Sequence, residues 1–88
     1  MGKYSVRLKK SEEKALASFD ASTQRAIAAK LLSLAKDPYP PGCKKIHGLK
    51  NTWRIRSGNF RIVYTVHEDI LLILVIRVGD RKDVYKGM

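Results

Sequence analysis

The dipeptide Gly58-Asn59 lies between two segments that alternate apolar and polar residues, Trp53-Arg54-Ile55-Arg56 and Phe60 to Val66. A two-residue turn of this composition closes a β-hairpin and leaves one register available. Ser57 then faces Phe60, Arg56 faces Arg61, Ile55 faces Ile62, Arg54 faces Val63 and Trp53 faces Tyr64. Trp53, Ile55, Phe60, Ile62 and Tyr64 fall together on one side of the hairpin, as a core requires. A one-residue slip would turn all five toward water, so this hairpin anchors whatever fold the chain adopts.

The other side of the same hairpin carries Arg54, Arg56 and Arg61 and has no acid to offset them. Like charges directly across a hairpin destabilise it, whereas an ordinary solvated face mixes signs. Guanidinium forks match phosphate oxygens two at a time, so the arrangement reads as a phosphate-binding patch.

The remaining segments supply the partners of this hairpin. Tyr4 to Leu8 alternates and predicts a half-buried strand. Ser11 stands where a helix cap belongs, with Glu12 and Glu13 in the first turn, where acids suit the helix dipole. Leu16 and Phe19 give that short helix an apolar side. Asp20 is a second cap, followed by Ile27, Leu31 and Leu34 at helical spacing, and Asp37-Pro38 ends this second helix. Ile70 to Val78 is apolar almost throughout and predicts a central strand covered on both faces. The order β-α-α-β-β-β predicts an α+β domain, with two N-terminal helices on one face of a small, mainly antiparallel four-stranded sheet. Residues 1–88 are expected to form one domain, since 88 residues leave no room for a second core.

Charge narrows the function. The chain has 18 Lys and Arg against 8 Asp and Glu, a formal net charge of +10, which implies a polyanionic partner such as nucleic acid or an acidic protein. The lone Cys43 excludes an internal disulfide, and the start of the chain lacks the apolar segment of a signal peptide. The apolar run Ile70–Ile76 is far short of the ~20 residues a membrane span needs, so a cytoplasmic protein with no membrane partner is expected. His47 and His67, the only histidines, are read as solvated loop residues. Neither belongs to a Ser-His-Asp or metal-ligand spacing, and no glycine-rich phosphate loop is present. After the central strand, Gly79 permits a turn that projects Arg81 and Tyr85 near the end of the sheet. An aromatic ring there can stack on an unpaired base, worth ~1–3 kcal/mol.

Two stretches carry a resemblance: Lys45-Ile46-His47-Gly48-Leu49 with Trp53 through Tyr64, and Arg77-Val78-Gly79-Asp80-Arg81-Lys82-Asp83-Val84-Tyr85. Together they resemble the RelE family of toxins, within the RelE/ParE superfamily. The resemblance implies a type II toxin–antitoxin pair, a microbial-ribonuclease-like fold, and messenger RNA cleavage in the ribosomal A site. It implies no metal and no other cofactor, the RNA 2′-hydroxyl attacking the adjacent phosphate, and a RelB-like antitoxin as partner. By motif, Arg61 braces the developing phosphorane charge, Arg81 stands at the leaving group and Tyr85 stacks on or orients the scissile nucleotide. Arg54 and Arg56 hold the RNA backbone, and Lys50, Arg77 and Lys82 complete the RNA-binding set. Some members carry lysines where this chain has Thr52 and Arg54. A guanidinium with a pKa above ~12 is no base, so Arg54 is cast as an electrostatic stabiliser. Two alternatives stay open: a ParE-like inhibitor of DNA gyrase, and a non-catalytic RNA-binding module using the same patch.

Overall fold

A computed structural model describes residues 3–80. The elements run β1 (Ser5–Leu8), α1 (Lys10–Ala17), α2 (Ala21–Lys36), β2 (Lys44–Lys45), β3 (Thr52–Ser57), β4 (Phe60–His67) and β5 (Leu72–Asp80). They give the expected α+β architecture with five strands rather than four, in the order β1-β5-β4-β3-β2. The additional strand is β2, two exposed lysines paired with Arg54 and Trp53. A pairing of two residues has no periodicity to read, which is why the sequence showed no strand there. The sheet is mixed, because β1 runs parallel to β5 while the other pairs are antiparallel. The apolar run of β5 is interior, between β1 and β4, although β4 holds the middle place.

The hairpin register follows the turn as expected, from Thr52 opposite Thr65 to Ser57 opposite Phe60. Gly58, at the first central position of the turn, has φ 60°, which suits the two-residue turn of mirror-image type. The core forms on the helix side of the sheet. Ile27 and Leu34 of α2 meet Ile55, Ile62, Tyr64, Val66, Ile73, Val75 and Val78, with Val6, Leu8, Leu16, Leu31 and Trp53 packed around them.

Two local expectations change at the start of α1. The N-cap is Lys9, and Ser11 lies inside the helix with its hydroxyl donating to Glu12 Oε2 at 2.6 Å. Glu12 is buried at 7% exposure, where its Oε1 accepts the Val78 N–H of β5. Asp20 takes the N-cap position of α2 as expected, without a side-chain capping hydrogen bond, and α2 stops at Lys36, with Asp37 extended ahead of Pro38.

The register of β5 against β4 shifts between Val63 and Tyr64: Tyr64 faces Val75 but Val63 faces Arg77, so Ile76 is an extra residue. Strict alternation from Ile73 and Val75 would send Arg77 into the core. The bulge reverses the phase. Val78 takes the core position and Arg77 emerges on the opposite face.

Candidate nucleic-acid interface

The face of the sheet turned away from the helices collects the cations. A cross-strand row runs Lys44, Arg54, Val63, Arg77. The next row toward the turn is Arg56, Arg61, Gly79. On the other side of the first row lie Thr52, Thr65, Leu74 and Arg7, the last contributed by β1. Strands lie ~4.8 Å apart and alternate residues ~6.6 Å apart, so Arg54, Arg56, Arg61 and Arg77 share one compact patch. No strand position on this face carries an Asp or Glu, and Asp80 falls opposite Phe60 on the other face.

Val63, at 0% exposure, lies in this face between Arg54 and Arg77 and outside the main core. Long arginine stems bury apolar neighbours while keeping their charged ends in water, so Val63 gives the row an apolar footing. Arg54, Arg61 and Arg77 are accordingly half-buried, and Arg56 is exposed. At the turn, Arg56, Gly58, Asn59 and Arg61 line a cleft of about 180 Å³. Gly79, opposite Arg61, adds no side chain to this end of the patch. Guanidinium groups match phosphate oxygens two at a time, and the cleft places two of them side by side.

The structure brings together Arg54, Arg56, Arg61 and Arg77 of the expected residues. It adds Lys44 and Arg7, which the sequence did not single out. Arg7 alternates correctly between Val6 and Leu8, but only the β1–β5 pairing puts it on the arginine face. Lys50 stands apart, in the turn before β3 and at the end of the hairpin away from Arg56, where its carbonyl accepts the Thr52 hydroxyl at 2.9 Å. Thr52 itself is buried. Arg81, Lys82 and Tyr85 lie outside the described residues.

His47 is in an exposed turn as expected. His67 instead closes β4, half-buried, its Nε2 within 2.9 Å of the Thr65 hydroxyl. Among the described residues no three His, Cys, Asp or Glu side chains converge as a metal site, and no helix is long and apolar enough to cross a membrane.

An α+β fold with a cationic sheet face is the frame of a known class of small toxins. Residues 6–85 match the family model described as ParE toxin of type II toxin-antitoxin system, parDE. The chain therefore belongs to the RelE/ParE superfamily of type II toxin–antitoxin toxins. It is 33% identical over 87 residues to a putative RelE-like toxin protein of Escherichia coli, a match spanning 94% of this chain and 90% of that one. The toxin in the archaeal RelE–RelB complex from Pyrococcus horikoshii superposes with a TM-score of 0.80 at 25% identity, over 91% of this chain and 97% of that one. The intact E. coli RelBE toxin–antitoxin complex contains a chain that superposes with a TM-score of 0.77, over 88% of this chain and 95% of that one. That likeness, at 23% identity, is one of fold.

Proposed function

We propose that this toxin is a ribosome-dependent messenger RNA endonuclease, acting in the cytoplasm on mRNA held in the ribosomal A site. The observation that carries this reading is the placement of Arg56 directly opposite Arg61 over the cleft at the turn. Two like charges facing each other across a hairpin are disfavoured on their own, and phosphate oxygens are well suited to bind both guanidinium groups.

In the reaction, the 2′-hydroxyl of one nucleotide attacks the adjacent phosphate. A P–O bond forms, the bond to the 5′-oxygen of the next nucleotide breaks, and the 2′-proton is lost as the leaving oxygen gains one. The phosphorane gathers negative charge on its oxygens, and preorganised cations aimed at that charge lower the barrier. Arg61 takes this role, with Arg56 and Arg54 on the flanking backbone and Arg77 and Lys44 extending the track across the sheet. Arg81 serves the leaving oxygen and Tyr85 orients the scissile nucleotide. Lys82 and Lys50 hold more distant phosphates.

The partner that silences the toxin is a RelB-like antitoxin. The relatives in the P. horikoshii and E. coli structures are complexed with their antitoxins, which supports the same arrangement here. Opposite the cationic face, Val6, Leu8, Ala28, Leu31, Leu32 and Ala35 line an apolar groove of about 460 Å³ between β1 and α2. Leu32 stands 70% exposed at this groove. An acidic, amphipathic antitoxin segment fits both surfaces.

Primer extension on translated mRNA tests the reading: cuts appear after wild-type induction and disappear with Arg61→Ala. A second reading, inhibition of DNA gyrase, has one observation in its favour, the match to a family model described as ParE toxin. Intact transcripts together with lost supercoiling after induction would establish it instead.

A further inference from the structure

The tip of the β3–β4 hairpin separates two clefts of opposite character. On the sheet's open face is the cleft of Arg56 and Arg61. On the helix side, the start of α2 meets the hairpin end and leaves a second cleft of about 280 Å³. Thr23 and Ala26 line it from α2, and Ser57, Asn59 and Phe60 from the hairpin, while Gly58 and Asn59 border both clefts.

The second cleft has no Lys or Arg in its wall. Two acids lie near its wall: Asp80, opposite Phe60, and Asp20, whose carboxyl is held below its ordinary range by the hydroxyls of Thr23 and Ser22, the latter donating at 2.7 Å. The wall thus offers no cation to an anionic group. Ser57 is only 8% exposed, yet its hydroxyl makes no hydrogen bond to any described residue. Its oxygen is not sealed off, and the cleft is the opening it faces. A hydroxyl of this kind, with no protein partner, can bond water or the polar edge of a ligand. Beside it, the Phe60 ring is held by Phe19, with centroids 4.8 Å apart and planes tilted by 56°. Asn59, exposed at the turn, supplies an amide donor and an acceptor.

An uncharged group with a planar apolar surface and a hydrogen-bonding edge matches these walls. We infer that the second cleft seats an unpaired RNA base, belonging to a nucleotide whose phosphate rests on Arg56 and Arg61. The inference rests on the endonuclease reading and adds a base preference to it. Ser57 and Asn59 read the edge of the base, Phe60 meets its apolar surface, and the shared turn sets the spacing between base and phosphate.

The test is a map of the 5′ ends produced on translated mRNA by the full-length wild type, Ser57→Ala and Ala26→Met. Ala26 is exposed on α2, so methionine there keeps the helix while filling the cleft. The wild type is expected to favour one base at a fixed position relative to the cut. That preference, as the ratio of favoured to other bases, should fall about three- to tenfold in Ser57→Ala, the effect of one lost hydrogen bond, and also fall in Ala26→Met. A base preference unchanged in both variants, or a wild type that cuts without preference, would overturn the pocket alone. A wild type that cuts nothing would overturn the endonuclease reading and the pocket with it.

Discussion

Glu12 Oε1 in α1 accepts the backbone N–H of Val78 in β5 at 2.8 Å, joining positions 66 apart in the chain. The bond lands just beyond the Ile76 bulge, on the residue whose inward turn accompanies Arg77 facing outward. It thus ties the first helix to the strand geometry that completes the cationic face.

Replacing Glu12 by alanine leaves the Val78 N–H buried without its acceptor. We expect a loss of ~1–3 kcal/mol, read as a lower urea midpoint with an unchanged slope. Glu12→Gln keeps a carbonyl oxygen for the same N–H and should lose less. Equal losses in the two variants would show that charge, rather than the acceptor, is what Val78 requires.

At the hairpin, stability and activity should move in opposite directions. Arg56→Thr removes one of two like charges facing each other and places a β-branched residue in a strand. Thermal unfolding at low salt should show a gain of ~0.2–1 kcal/mol. The gain should shrink near 1 M salt, where the Debye length is ~3 Å. Cleavage of translated mRNA should fall by ~10²–10³. A destabilised variant would mean that the packing of the Arg56 stem outweighs the repulsion.

Two tyrosines predict the alkaline limit of the fold. Burial pushes the Tyr39 hydroxyl up to about 12, helped by the hydrogen bond it donates to Glu68 Oε1 at 2.6 Å. Burial also raises Tyr64, whose hydroxyl donates to the Pro38 carbonyl at 2.8 Å. Both groups bind their protons more tightly folded than unfolded, so their contribution is complete below pH ~10 and lost as pH rises toward 12. Denaturation midpoints measured between pH 8 and 12 should fall steeply at the upper end. The fall should be shallower in Tyr39→Phe and Tyr64→Phe, and an identical slope in both variants would refute the assignment.

Leu32 lies open in the apolar groove of α2 and β1. Leu32→Glu should leave the urea midpoint of the free toxin nearly unchanged, since the side chain is already in water. It should weaken the antitoxin complex at least tenfold by calorimetric titration, the effect of removing a central apolar contact. Unaltered affinity would place the antitoxin elsewhere.

What could be read in advance depended on where the information lay. The β3–β4 hairpin was fully legible, because a turn dipeptide and two alternating segments specify its register within twelve residues, Trp53 to Tyr64. Arg54, Arg56 and Arg61 were therefore placed correctly on one face. The phase of β5 was not legible: Ile73 to Ile76 is apolar at every position, and such a run does not say which residues face the core. Arg77 consequently had no assignable face. Glu12 read only as an acid suited to the helix dipole, because its partner, a strand N–H, lies far along the chain and carries no sequence signature. The Ser57 hydroxyl was hidden for a similar reason, since its surroundings come from α2.

The extra residue at Ile76 separates two evolutionary constraints that would otherwise compete within a single strand. Before it, alternation is set by the helices above Ile73 and Val75; after it, the count restarts, with Val78 inward and Arg77 free of the core. Residue 77 can therefore drift in identity without any change of volume in the hydrophobic interior. A lineage of such toxins can alter its cationic face at this strand while inheriting the same core.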